Sequence, residues 1–191
     1  QESTFEYEVF RNNKIIGHTV VNGIKSSGKV TYRVSSEIRL TIIKEFIFRS
    51  FEETVFEKGV MTFSSVQRTL NGQKKSDRTT RLINQVYQVV NEEENKRFHS
   101  VLVMHCTNSL YLNEPVNQGQ IYSEHYQQWL NISPVNAHSY KLTLPDGNYT
   151  FYHYQNGICN KIEIYQTFYN ASLKLRKQGQ ERMNVPISLS Y

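Results

Sequence analysis

The sequence is poor in the residues and motifs that mark common enzyme families. It has two cysteines, and of its 17 acidic residues only Asp77 and Asp146 are aspartates. A Gly-x-Ser-x-Gly elbow, a Gly-rich phosphate loop, a His-Glu-x-x-His pair and a Cys-x-x-Cys pair are all missing. An enzyme would therefore have to assemble its site from scattered residues. We name no catalytic residue and favour a non-enzymatic role.

Long apolar segments are also missing. The longest uninterrupted apolar run, Val101 to Met104, is far shorter than the roughly 20 residues that a membrane-spanning helix needs. The sequence therefore predicts no transmembrane segment.

The excess of basic charge is small. The chain has 22 Lys and Arg against 17 Asp and Glu, a net charge of +5. Basic patches can contact anionic headgroups, acidic glycans or nucleic acids. Here Glu residues lie among them, which favours solvated strand faces, and we predict no nucleic-acid partner. The two basic clusters are Lys74, Lys75, Arg78 and Arg81, and Lys174, Arg176, Lys177 and Arg182.

The six histidines do not form a metal site by spacing. None lies two or four residues from another, the separations that place two ligands on one face of a strand or a helix. His105 precedes Cys106, but adjacent helical residues do not face each other. We predict no metal, no cofactor and no Cys-His nucleophile.

The start of the chain and its cysteines bear on its compartment. Gln1 opens the sequence without an initiator Met, a basic region or an apolar region, as in a chain whose export signal has been removed. In an oxidising compartment Cys106 and Cys159 could form one disulfide, worth about 4 kcal/mol. Two separate buried thiols are the alternative. We expect an exported monomer, which is periplasmic, associated with the outer envelope or extracellular.

The dominant pattern is an alternation of apolar and polar residues. From residue 30 to 42 the even positions are mostly apolar and the odd ones polar, which predicts a long antiparallel strand with one buried face. About ten such strands joined by short turns predict an all-β, mainly antiparallel meander curled into a barrel or half-barrel. The predicted turns are Asn12-Asn13, Lys58-Gly59, Asn71-Gly72, Asn84-Gln85, residues 92–95, Asp146-Gly147 and Asn156-Gly157.

Three segments depart from the alternation. Residues 99–113 place Leu102, Cys106 and Leu110 near one helical face and precede Pro115, which predicts one short helix that caps the sheet. Residues 121–130 are predicted to form a second short helix or an irregular segment. Between Phe46 and Val55 the alternation slips, as at a β-bulge.

The chain is predicted to form a single domain. Residues 1–177 contain the alternating segments, and no linker divides them. Residues 178–191 are polar and are predicted to be a weakly attached C-terminal extension.

Aromatic residues are abundant, with 13 Tyr, 10 Phe and one Trp. Many of them lie between Tyr149 and Tyr169 on two segments that we expect to pair. Cross-strand aromatic pairs stabilise a sheet. Alternatively, one face lines a cavity for an apolar ligand or stacks on sugar rings. The sequence leaves both interpretations open.

Several stretches together form a recognisable pattern. They read YEVFRNNKIIG from Tyr7, ETVFEKG from Glu53, SSVQRTLNG from Ser64, SYKLTLPDG from Ser139 and YQNG from Tyr154. The pattern resembles a family of small exported bacterial proteins known only as a domain of unknown function, over roughly residues 5–176. The resemblance implies a barrel-like all-β fold and export, and it brings no activity and no catalytic residues.

A curved antiparallel sheet capped by a helix is also similar to periplasmic lipoprotein carriers, which hold acyl chains on the concave face. This is an analogy of fold, and fold does not imply function. With the long apolar faces, it leads us to expect a protein that binds a lipid or another apolar ligand on the concave face. The candidate lining residues are Val34, Ile38, Phe48, Phe63, Leu102 and Trp129.

Two other interpretations of these residues remain. They could form a packed core without a cavity. In a different class, the protein could be a module that binds a cell-envelope glycan, or a hydrolase with a scattered surface site. A surface cleft that gathers Glu124, His125 or His153 would favour that alternative.

Overall fold

The computed structural model describes residues 1–41, 44–92, 95–98, 101–167 and 169–181. These residues form 14 β-strands and one short 3₁₀ helix, Thr107–Tyr111. The strands are β1 (Glu2–Arg11), β2 (Lys14–Ser26), β3 (Lys29–Thr41), β4 (Glu45–Glu57), β5 (Val60–Leu70), β6 (Gln73–Ile83), β7 (Val86–Val90), β8 (Asn95–Phe98), β9 (Gln120–Ser123), β10 (Gln128–Asn136), β11 (Ser139–Thr143), β12 (Tyr149–Gln155), β13 (Ile158–Gln166) and β14 (Tyr169–Glu181).

All the strands belong to one antiparallel sheet. Its order is β8-β7-β6-β5-β4-β3-β2-β1-β14-β13-β12-β11-β10-β9, so only the pairing of β1 with β14 joins strands distant in sequence. The predicted antiparallel meander is confirmed. Within the described residues the sheet is not closed, because β8 and β9 are its two edges and do not pair with each other.

The sheet curls so that strands far apart in its order approach each other. The Thr80 hydroxyl on β6 lies 3.0 Å from the Tyr122 hydroxyl on β9. The segment before the 3₁₀ helix lies between these two parts of the sheet. There the Val103 carbonyl accepts a hydrogen bond from the Met61 amide, and the His105 carbonyl accepts one from the Tyr122 amide, at 2.8 and 3.1 Å.

The predicted turns connect strands wherever their residues are described. Asn71 and Gly72 join β5 to β6 with φ angles of 51° and 78°, a left-handed conformation that Asn and Gly adopt readily. Ser27 and Gly28 form a further turn of this kind between β2 and β3, which we did not predict. Residues 93 and 94 of the predicted acidic turn lie outside the described residues.

The bulge predicted between Phe46 and Val55 is wrong, because β4 is regular there and the extra residue at the nearby register shift belongs to β5. β4 pairs with β3 from Glu45 to Glu57 without a register shift, so Phe46 and Phe48 share the inner face, and Phe51 lies on the outer face. The register shifts only against β5, between Val55 and Phe56.

The helix predicted over residues 99–113 is shorter than expected, and the second segment, predicted as a short helix or irregular, contains parts of two strands. Within the described residues, helical structure is confined to Thr107–Tyr111. Residues 101–105 are irregular, and the carbonyls of Val103 and His105 accept hydrogen bonds from β5 and β9. Residues 99 and 100 lie outside the described residues. Residues 121–130 are not helical: they form most of a hairpin between β9 and β10, in which Trp129 pairs with Tyr122.

The last strand extends past the predicted domain boundary. β14 continues to Glu181, and residues 178–181 pair with residues 2–5 of β1. The first four residues of the predicted extension therefore belong to the sheet, and residues 182–191 lie outside the described residues.

Two apolar clusters occupy the interior. The larger contains Tyr7, Val34, Leu110 and Ile162, and the smaller contains Met61, Tyr87, Val103 and Tyr122. The segment that carries Val103 and Leu110 thus fills the end of the interior near β5 and β9.

Candidate functional site

An apolar cavity lies on the concave side of the sheet, away from the filled end. Its volume is about 510 Å³. β1 to β5, β13 and β14 form its walls, and Tyr111 of the 3₁₀ helix lies at one side. Its apolar lining residues are Val9, Ile16, Val34, Ile38, Leu40, Phe46, Phe48, Leu70, Tyr111, Ile164, Tyr169, Ala171 and Leu173.

The cavity exists because several inward positions carry small side chains. Thr19, Ser36, Ser50 and Ala171 point into it from β2, β3, β4 and β14. The alternation places these residues on the same faces as their large apolar neighbours. Since they are too short to meet across the curved sheet, the space between the strands stays open.

A second, more polar chamber adjoins the apolar cavity. Its volume is about 240 Å³, and its polar residues include Thr107, Asn108, Ser123 and His125. The two spaces share five lining residues, which places them side by side. The shared residues are Glu52, Arg68, Tyr111, Ile164 and Tyr169.

An ion pair lies where the two spaces meet. The Arg68 Nη2 atom on β5 donates a hydrogen bond to Glu52 Oε1 on β4, at 2.9 Å, and Glu52 is only 8% exposed. The adjacent Glu53 faces the opposite side, where it pairs with Arg33 at 2.6 Å in solvent. Glu52 and Glu53 therefore point to opposite faces of one strand.

His125 is uncharged in the polar chamber. Burial, together with the neighbouring guanidinium groups of Arg68 and Arg78, lowers the pKa of His125 to about 3. Among the described residues, no hydrogen-bond partner exists for His125 Nδ1 or for Arg68 Nε, although both atoms are buried. Buried polar atoms are almost always satisfied, so these two nitrogens are exceptions, and both belong to residues that line the chamber.

Glu124 has a structural role next to this chamber. Its carboxyl oxygens accept hydrogen bonds from the Thr54 hydroxyl at 2.8 Å and from the Thr107 and Asn108 amides at 3.0 and 3.2 Å. Burial raises the pKa of Glu124. Its acceptor sites are occupied by the start of the 3₁₀ helix, so this carboxyl group positions the helix against β4.

The two cysteines are free and buried. Cys106 belongs to the smaller apolar cluster and Cys159 to the larger one, so the structure has two separate thiols. Burial and, to a smaller extent, the nearby Glu124 raise the pKa of Cys106 well above its usual value. A thiol that stays protonated is a poor nucleophile.

The six predicted lining residues separate into two groups. Val34, Ile38 and Phe48 line the apolar cavity. The other three lie elsewhere: Phe63 is under the Arg81 guanidinium on the outer face of β5, Trp129 packs edge-on against Tyr122, and Leu102 is 41% exposed.

A hydrogen-bonded chain of Ser139, His153 and Glu163 lies on the outer face of the sheet. Ser139 Oγ is 2.9 Å from His153 Nδ1, and His153 Nε2 is 2.8 Å from Glu163 Oε2. The groups are those of a nucleophile, a base and an acid. However, Ser139 is only 6% exposed, so its hydroxyl is poorly presented to a substrate. Glu124 and His125, which the hydrolase hypothesis would join to His153, lie on the inner side.

The described residues contain no group of three or more His, Cys, Asp or Glu side chains that could hold a metal ion. Within the same ranges, no helix has the length and apolar character needed to cross a membrane.

The comparison with protein families settles what kind of domain this is. A model for a domain of unknown function, DUF6134, matches residues 7–176. The chain belongs to the DUF6134 family. The resemblance to a domain of unknown function is therefore confirmed. No curated protein matches this DUF6134 chain.

One solved structure supports the fold. The DUF6134 chain is similar to a beta-barrel-like protein of another domain of unknown function, DUF1849, from Brucella abortus. The TM-score is 0.58 at 9% sequence identity, and the match covers 95% of this chain and 98% of that chain. At this identity the likeness concerns the fold alone, and it agrees with a barrel-like sheet.

Proposed function

We propose that this protein is a non-enzymatic binding protein that holds a lipid or another apolar ligand on the concave face of its sheet. The observation that carries the proposal is the apolar cavity between β1–β5 and β13–β14. Its volume of about 510 Å³ lies within the range of roughly 300–1,000 Å³ typical of small-molecule sites.

The chemistry of the walls supports an apolar ligand. Large aliphatic and aromatic side chains such as Ile38, Leu40 and Phe48 surround the space. Moving an apolar ligand from water onto such walls is favourable by about 25 cal/mol for each Å² buried. An exported location, a monomeric state and a cell-envelope partner remain predictions of the sequence.

The first experiment asks whether the protein carries a ligand. The purified protein is weighed by native mass spectrometry and then extracted with organic solvent, and the extract is analysed by mass spectrometry. A stoichiometric lipid supports the proposal. Protein that emerges without ligand is tested with the apolar fluorescent probe N-phenyl-1-naphthylamine, and failure to bind the probe would contradict the proposal.

Two substitutions on β4 locate the site. Phe48→Glu places a charge in the apolar cavity and should lower probe affinity at least about tenfold, since an unpaired buried charge is costly. Phe51→Glu is the matched control, because Phe51 lies on the outer face of the same strand and is 44% exposed. Circular dichroism verifies that both variants fold. Equal probe affinity in the two folded variants would place the ligand elsewhere.

A further inference from the structure

We propose that the ligand is amphipathic, with an alkyl chain in the apolar cavity and an uncharged, hydrogen-bond-accepting head group, such as an amide or ester, in the polar chamber. This inference rests on the proposed function and goes further by naming the ligand class. It is based on the ion pair, the unpartnered nitrogens and the charge balance where the two spaces meet.

The arrangement of the two spaces suits a ligand with two ends. The apolar cavity is lined mainly by carbon, whereas the adjoining chamber combines apolar side chains with polar atoms of Thr107, Asn108 and Ser123. Arg68 and Tyr111 line both spaces. A molecule that fills both therefore passes next to the Arg68 guanidinium at the junction between its alkyl chain and its polar head.

Unpartnered nitrogens indicate what the head must offer. Arg68 uses Nη2 to bind Glu52 at 2.9 Å. Its Nε–H group is buried without an acceptor in the described residues. His125 Nδ1, which donates or accepts according to the tautomer, is buried there without a partner. An arginine nitrogen can only donate a hydrogen bond. The matching ligand group is an oxygen acceptor such as a carbonyl.

The charges in the chamber disfavour an ionised head. Arg68 is balanced by Glu52, and His125 is neutral. Arg78 binds Glu92 at 3.3 Å and also donates to the His125 carbonyl. A carboxylate head would add an unbalanced charge beside Glu52, and a cation would face Arg68 without accepting its hydrogen bond. Either charge would be costly in a partly buried site.

The test compares three head groups on one alkyl chain. Lauramide, laurate and laurylammonium compete with N-phenyl-1-naphthylamine for the wild-type protein. We expect lauramide to compete best. Tighter binding of laurate or laurylammonium would overturn the inference but leave the proposed function intact. If the probe itself does not bind, the proposed function fails.

Variants of the polar residues test the assignment of the donors. Arg68→Lys keeps the positive charge next to Glu52 but removes the Nε–H donor, and we expect about a tenfold loss of lauramide affinity. Because Arg68 also lines the apolar cavity, the probe affinity is compared in the His125→Phe protein. His125→Phe keeps an aromatic ring without the nitrogens and should also weaken lauramide selectively. Arg33→Lys makes the same change in the ion pair between Arg33 and Glu53 on the outer face, and it serves as the control.

The outcomes separate the alternatives. If Arg68→Lys and His125→Phe both fold and bind lauramide as the wild type does, the head group lies elsewhere and the inference is wrong. If His125→Phe, which alters only the polar chamber, loses the probe as well as lauramide, the chamber does not act separately from the apolar cavity, and the inference is again overturned.

Discussion

The interior of the sheet has a filled end and an open end, and the two differ in what points inward. At the filled end, Val103, Cys106 and Leu110 enter from the segment around the 3₁₀ helix and are buried. At the open end, Ser36 and Ala171 point inward and leave a cavity. The same alternation of residues thus forms a packed core or a binding space, depending on side-chain size and on whether another segment enters.

The largest expected effect is the difference in stability between two Leu→Ala substitutions, one at the filled end and one at the open end of the interior. Leu110→Ala at the filled end should lower the free energy of unfolding by about 2–5 kcal/mol, because Leu110 is 1% exposed and its removal leaves a void. Leu70→Ala in the cavity wall should cost only about 1 kcal/mol, because the space beside it is already open. Urea unfolding measures both, and equal losses would contradict the distinction.

A second substitution tests whether the open end can be filled. Ala171→Phe places a ring in the cavity, so it should reduce probe affinity at least about tenfold while the free energy of unfolding changes by less than about 1 kcal/mol. Ser172→Phe on the outer face of β14 is the matched control. Titration with N-phenyl-1-naphthylamine measures the affinity. An Ala171→Phe protein that keeps the wild-type affinity would show that the cavity is not the site.

The smallest expected effect on stability comes from the carboxyl group of Glu163 on the outer face. Burial acts to raise the pKa of Glu163, but hydrogen bonds from Lys161 and His153 outweigh it and lower the pKa below 4.5. A lowered pKa contributes stability above the unfolded value, and this contribution is lost as the pH falls through the folded value.

Glu163→Gln should therefore destabilise the protein at neutral pH by less than about 1 kcal/mol, since solvent screens the pair. The difference from the wild type should shrink below the ordinary carboxyl pKa and vanish once the pH is below the lowered pKa of Glu163 in the folded protein. Chemical unfolding at a series of pH values measures it. A difference that persists in acid would assign the effect to packing rather than to charge.

The sequence predicts the strands well because alternation and turn residues are local properties. Val34, Ile38 and Phe48 reach the cavity because each lies on the apolar face of an alternating strand. Phe63 does not, because β5 has an extra residue, Thr62, opposite the register shift between Val55 and Phe56. That residue places Met61 inside and turns Phe63 outward.

The polar chamber could not be predicted in the same way. Glu52 and Arg68 come from neighbouring strands, but His125 joins them from the turn between β9 and β10 only after the sheet has curled. The exposure of Leu102 and the position of Trp129 likewise depend on the path of the segment before the 3₁₀ helix. Such long-range placement leaves no periodic pattern in the sequence.

The pairing of β1 with β14 has a consequence for biogenesis. The first strand lies in the middle of the sheet and pairs with a strand from the other end of the chain. During synthesis β1 therefore exposes an unpaired edge until β14 has been made. Such non-local pairing slows folding and leaves intermediates open to aggregation. We expect the nascent chain to need protection until its last strand arrives.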